Sequence, residues 1–235
     1  ADCPMNVDMA TYKAEFLSHY YKHRPRPLHA YAFGLIHVWA QLAHFWPTLV
    51  NFVNHGPILS TLVKKIIGIA PQREIPAFAR ETFKDWFRRR VERARPRAEH
   101  TAENGRLEIG ITNYESGASA HQLHRVILWP DTFNNFFHPE TAVAAVEVLE
   151  DAGFNVVIPK ADLCCGRPLY DYGMLDTAKR WLSQILVELH DEIEAGTPMI
   201  GLEPSCTAVF RDELTELFPL DENAIRLSQQ TFTLA

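Results

Sequence analysis

Three short apolar runs, Val126–Trp129, Val156–Ile158 and Met199–Leu202, are spaced so that one helix fits into each gap. Apolar runs without alternation are the mark of strands buried on both faces. The first gap holds Pro139–Ala152, with Ala142, Val143, Val146 and Leu149 on one helical face and Gly153 as its stop. The second holds Leu175–Ala195, with Leu182, Ile185, Leu186, Leu189 and Ile193 facing inward and Gly196 at its end. The expected fold is α/β: an open, mostly parallel sheet with helices on both faces. Right-handed crossovers bring every strand's carboxyl end to one edge, where ligands bind in such sheets.

What stands at those ends is chemically pointed. Asp131 follows the first run, Leu163-Cys164-Cys165-Gly166-Arg167-Pro168 the second, and Glu203-Pro204-Ser205-Cys206 the third. Adjacent cysteines cannot bridge each other without straining the peptide between them. A sulfur-rich ligand set suits zinc or an iron–sulfur cluster, with Asp131 and Glu203 as oxygen ligands or neighbours. Gly166 is expected where backbone approaches such a group closely. Helices starting near Leu175 and Ser205 would aim their amino ends at the same point and favour thiolates. The plainer alternative is a cysteine pair buried as small hydrophobes. A hydrolase using Cys165 with His121 or His124 as base is a distant third, since no motif supports it. No other catalytic residue is indicated.

Between Asp131 and Cys164 lie 32 residues, and between Gly166 and Glu203 lie 36. This resembles the CCG cysteine-rich domain family, whose pattern is Cys, a thirty-odd-residue interval, Cys-Cys-Gly, a similar interval, then Cys-x-x-Cys. Asp131 stands where the first Cys would be, and Glu203 where Cys-x-x-Cys would begin. The run Cys-Cys-Gly-Arg-Pro-Leu-Tyr-Asp-Tyr-Gly also resembles the iron–sulfur section of FAD-linked dehydrogenases for D-2-hydroxy acids, the D-lactate and glycolate type. Cys3-Pro4 resembles the close of a bacterial ferredoxin motif, which makes Cys3 an orphaned cluster ligand.

The resemblance implies a fragment of an electron-transfer oxidoreductase. Electrons would pass from a flavin dehydrogenase domain through ferredoxin clusters to Cys164, Cys165 and Cys206, with Arg167 as an electrostatic neighbour, and on to an acceptor. An iron–sulfur cluster is the implied cofactor and zinc its alternative; FAD belongs to the missing part of the parent. This chain has no G-x-G-x-x-G fingerprint for binding a dinucleotide itself. The rival reading is a structural docking module whose cluster site Asp131 and Glu203 have degraded.

The amino-terminal half differs in charge. Of the net −6, residues 1–97 contribute +8 and residues 98–235 contribute −14. The seam near Pro96 separates a helical extension (1–97), following a truncated ferredoxin-like domain, from a CCG domain (106–235). Asn6 or Asp8 caps a first helix, which Arg24-Pro25-Arg26-Pro27 breaks. Leu28 to Val63 contains no Asp, Glu, Lys or Arg, yet its histidines, asparagines and prolines argue against a membrane span. Two or three apolar helices are expected there, against a partner domain, an electron acceptor or a membrane surface. His37, Gln41 and His44 share one face, read as polar interface positions in preference to a haem or metal site. Pro76–Arg97 is expected to be helical, with Phe78, Phe83, Trp86 and Phe87 on its apolar side. It closes on six arginines in ten residues, and without a nucleic-acid-reading motif these suggest a solvated or docking surface. Leu107–Ile111 alternates like a strand. With no signal peptide at the start, the expected location is cytoplasmic, peripheral at the inner face of the membrane.

Overall fold

A computed structural model describes residues 8–94 and 124–234. Cys3, the 107–111 strand, His121, the arginine-rich end at 95–97 and the seam near Pro96 lie outside those residues.

Five helices come first: α1 (Met9–Tyr20), α2 (Leu28–Gly34), α3 (Ile36–His44), α4 (Pro47–His55) and α5 (Pro57–Ile67). Asp8 caps α1 by accepting from Ala10 N at 2.8 Å. The uncharged stretch is thus four short helices rather than two or three. Pro47 and Pro57 each start a new one, because a ring nitrogen can serve only as a first-turn position. α6 (Phe83–Ala94) follows. It begins seven residues later than expected, and Phe78 lies outside it, tilted on Phe137 with ring centroids 4.5 Å apart.

The rest is the α/β unit. β1 (His124–Trp129) leads into α7 (Thr132–Phe136) and α8 (Pro139–Asp151), then β2 (Phe154–Val157). α9 (Arg167–Asp171), α10 (Leu175–Glu188) and α11 (His190–Glu194) precede β3 (Met199–Gly201). The expected helix 175–195 is therefore two helices, divided at Leu189. α12 (Pro204–Ala208), a π-helical segment (Val209–Glu213) and α13 (Leu214–Leu217) run on without a break. α14 (Glu222–Gln230) and β4 (Thr231–Thr233) finish the chain.

The four strands are parallel, in the order β2-β1-β3-β4. Alternate residues of β1 feed two cores. Val126 and Leu128 join Val156, α8 and α6 on one face. Ile127 and Trp129 join Val157, Met199, α10, α12 and α14 on the other. β1 pairs with β2 on one side and β3 on the other, so the chain reverses direction across the sheet at β1. The loops after β1, β2 and β3 flank that switch point, where a crevice is expected in an open α/β sheet.

Candidate metal or cluster centre at the carboxyl edge of the sheet

Each loop delivers its residue by a local rule. Asp131 follows β1 by two residues and caps α7. Its Oδ1 accepts from Phe133 N at 2.9 Å and Asn134 N at 3.1 Å, and its Oδ2 from Asn134 Nδ2 at 2.6 Å. Glu203 follows β3 by two residues and caps α12, accepting from Ser205 N at 3.3 Å. Cys206 rides in the first turn of α12. Cys164 and Cys165 close the loop after β2, and Gly166 opens α9 with φ +81°. That left-handed backbone is the reason for glycine here. A Cβ would meet nothing closer than Ala178 Cα at 3.5 Å, so tight packing is not required to explain it.

The three thiols meet. Cys165 Sγ lies 2.8 Å from Cys206 Sγ, and Cys164 shares a hydrogen bond with Cys165. All three are buried in one cluster with Trp129. Hydrogen bonding to Cys165 and burial both push the Cys164 thiol well up. For Cys165 the bond with Cys164 pulls down, but contact with Cys206 and burial outweigh it. Cys206 is likewise raised: its bond with Cys165 pulls down, whereas burial and the charges of Asp131, Cys164 and Glu203 push up. At neutral pH these are crowded neutral thiols, and only a cation would make thiolates of them. A nucleophilic Cys165 is disfavoured for the same reason. His124, its conceivable base, opens β1 at the opposite edge of the sheet.

Further groups reach the site, some of them read in the sequence only as polar interface positions. Thr132 hydrogen-bonds Cys164 and lies 3.1 Å from His37 Nδ1. His37 Nε2 and Gln41 Nε2 both approach Asp162 O at 3.5 Å, while His44 Nε2 sits 3.3 Å from Asp85 Oδ2. Two of the three polar positions on α3 thus brace the loop that carries the cysteines, and the third holds α6. Buried Lys84 donates to Lys160 O and Ala161 O and pairs with Asp162 Oδ1 at 2.8 Å, gripping the same loop from α6. Arg167 pairs with Glu213 of the π-helical segment and with Asp171.

Does this set suit a sulfur-bound group? Among the described residues no group of three or more His, Cys, Asp or Glu side chains is arranged to hold a metal ion. The chemistry of the donors nevertheless fits at three points: three thiols converge, and Trp129 Nε1 in their cluster is buried without an acceptor. At the other two positions the carboxylates serve as helix caps, Asp131 through both oxygens and Glu203 through Oε1.

Residues 131–211 match the family described as "CCG: Cysteine-rich domain". This segment is similar to CCG cysteine-rich domains. The surrounding chain is 23% identical over 216 residues to D-2-hydroxyglutarate dehydrogenase of Pantoea ananatis, covering 92% of this chain and 19% of that protein. It is 22% identical over 214 residues to D-2-hydroxyglutarate dehydrogenase of Escherichia coli, covering 90% and 19%. It is 30% identical over 114 residues to lactate utilization protein A of Bacillus subtilis, covering 47% and 46%. The chain therefore spans about a fifth of the D-2-hydroxyglutarate dehydrogenases it matches. No solved structure matches it. The matched segment thus sits in a chain similar to a region of dehydrogenases, as its cysteine run implied.

The cap assignment has a measurable consequence. Burial first, then the charge of Glu203, raise the Asp131 pKa, and its hydrogen bonds only partly oppose them. A carboxyl whose pKa is higher folded than unfolded stabilises the fold fully below 3.8 and loses that contribution as pH rises through its folded value. Asp131→Asn keeps an accepting oxygen for the α7 amides and removes the charge. The variant is expected to melt within about 1 kcal/mol of the parent at neutral pH and to lose this part of the pH slope. Asp131→Ala should cost about 2 kcal/mol through the lost cap. Melting curves from pH 4 to pH 8 check both.

Proposed function

We propose that this chain is the electron-transfer section of an iron–sulfur oxidoreductase whose flavin domain oxidises a D-2-hydroxy acid. The observation that carries this reading is the meeting of Cys164, Cys165 and Cys206 at the carboxyl edge of a parallel sheet. Kinship with dehydrogenases supports it.

Cys164, Cys165 and Cys206 would hold the cluster. A bound iron–sulfur cluster supplies one-electron exchange without proton chemistry at the protein. The chain's own residues prepare for it. Burial keeps water from the three sulfurs, and the start of α9 presents backbone N–H groups of Gly166 and Arg167 to Cys164 and Cys165. Thr132 donates to Cys164, and Trp129 keeps an indole N–H in reserve. Amide and hydroxyl donors of this kind lower the cost of negative charge on sulfur. The flavin and ferredoxin domains of a longer parent would be the electron donors.

A second reading, a docking module without redox chemistry, is favoured by the two caps at Asp131 and Glu203. Iron, zinc and acid-labile sulfide per chain after anaerobic purification decide between them. Iron with sulfide in the parent, lost in Cys165→Ala, is the expected result. Zinc alone would make the site structural. A metal-free, colourless parent would leave the docking reading standing.

A further inference from the structure

The hairpin of α4 and α5 stands apart from the cysteine site, and nothing said of that site accounts for it. Neither helix has a buried residue. Yet Trp46, Leu49, Phe52, Ile58, Leu62 and Ile66 are all exposed, Phe52 at 70% and Ile58 at 82%. On α5, Ile58, Leu62 and Ile66 recur every fourth residue and share one face; Lys65 stands at its edge, one turn from Leu62, and Lys64 lies off it. On α4, Asn51 fixes the inner face through paired bonds with Phe78 O and Phe78 N, both 2.8 Å. Leu49 and Phe52 therefore occupy other faces of that helix, and Trp46 stands just before its first turn. An apolar surface of this extent on a chain in water marks an interaction site.

Charge says what kind of partner. From Phe16 to Arg73 the sequence contains no Asp or Glu, but six Lys and Arg: Lys22, Arg24, Arg26, Lys64, Lys65 and Arg73. Ion pairing across a protein interface ordinarily uses both signs, and here one sign is missing over the whole stretch. Apolar and aromatic side chains on one face, cations at the margin and no carboxylate match the face of a helix lying in an anionic lipid surface. Among the described residues no helix is long and apolar enough to cross a membrane, which leaves in-plane attachment as the geometry for these two.

We infer that the α4–α5 hairpin is a monotopic membrane-docking element that inserts its apolar face into an anionic phospholipid bilayer. Attachment of this kind would hold the CCG domain beside the membrane, within reach of a lipid-soluble electron acceptor.

The test uses the purified chain with vesicles of phosphatidylcholine alone, and of phosphatidylcholine with a quarter phosphatidylglycerol. Partition into the anionic vesicles is expected to exceed that into neutral ones by about tenfold or more and to weaken at high salt. Phe52→Glu/Ile58→Glu should reduce it by at least about tenfold, with the circular dichroism and melting curve of the parent retained because neither side chain is packed. Lys64→Glu/Lys65→Glu should remove the preference for anionic vesicles. Quenching by lipids brominated near the headgroup should fall in Trp46→Phe. Absence of partition, partition equal in both vesicles, or partition unchanged in the double glutamate variant would overturn the inference. So would concentration-dependent self-association that the glutamates abolish without any vesicle binding, since a second copy would then own the face. Iron and sulfide content is independent of all these readouts, so the two proposals fail separately.

Discussion

Replacing Phe83 with alanine is expected to cost the fold about 4 kcal/mol, the range for deleting a fully buried aromatic ring. Phe83 is 0% exposed and packs with Phe87, Val91, Val126, Leu128, Val156 and the inner side of α8. Its neighbours are strands and a helix on several sides, so collapse into the vacancy is hindered and the upper part of the range applies. α6 is thereby a working part of the sheet's cover. Arg90 adds a two-pronged ion pair to Glu150 of α8, but at a partly exposed site worth about 1 kcal/mol at most. The packing, not the charges, carries the energy. A melting temperature lowered by several degrees or more in Phe83→Ala, with little change in Arg90→Ala, checks the ranking. Equal effects would mean that α6 is held from outside by its charges.

This dependence was only half visible in the sequence. The apolar side of α6, with Phe83, Trp86 and Phe87, follows from helical spacing, but which surface it covers does not. The three principal strands were legible because each is a short, continuous apolar run ending at a chemically distinctive residue. β4 was missed for the opposite reason: Thr231-Phe232-Thr233 is three residues with one apolar side chain, and it exists because β3 offers an open edge. The meeting of the three cysteines followed from topology alone. The duties of Asp131 and Glu203 did not, since an acidic residue between a strand and a helix is at once a fair metal ligand and a preferred N-cap. Spacing cannot show the capping, whereas hydrogen-bond geometry does. Of the braces on the cysteine loop, His37 was visible only as a polar position on a helical face, and Thr132 and Lys84 carry no local signal of that duty. Phe78 was assigned to a helix by its spacing from Phe83, but Asn51 ties its backbone outside the helix instead.

Gly173→Ala is expected to cost about 3 kcal/mol. Two costs add. Gly173 has φ +65°, where a side chain costs about 1 kcal/mol or more. The new Cβ would also lie 2.6 Å from both Ser18 N and Leu17 Cβ and 2.8 Å from Leu17 C, contacts that no rotamer can relieve because most of them are backbone. The only escape is for α1 to move away from the turn after α9. That motion would break the Tyr170 hydroxyl's bond to Thr11 Oγ1, 2.9 Å, and disturb the Arg26 guanidinium where it donates to Tyr172 O and Gly173 O. Since α1 has a single buried residue, Ala14, little else resists its departure. The expected outcome is a protein whose sheet persists while α1 comes loose, seen as accelerated hydrogen exchange and proteolysis across Met9–Tyr20 with protection of β1 retained. Gly196, also at positive φ but with nothing within 4 Å of its would-be Cβ, provides the control: alanine there should incur the backbone cost alone. If Gly173→Ala and Gly196→Ala lose the same stability, α1 is not seated on the turn, and the amino-terminal helices must be held by α2 and α3 only.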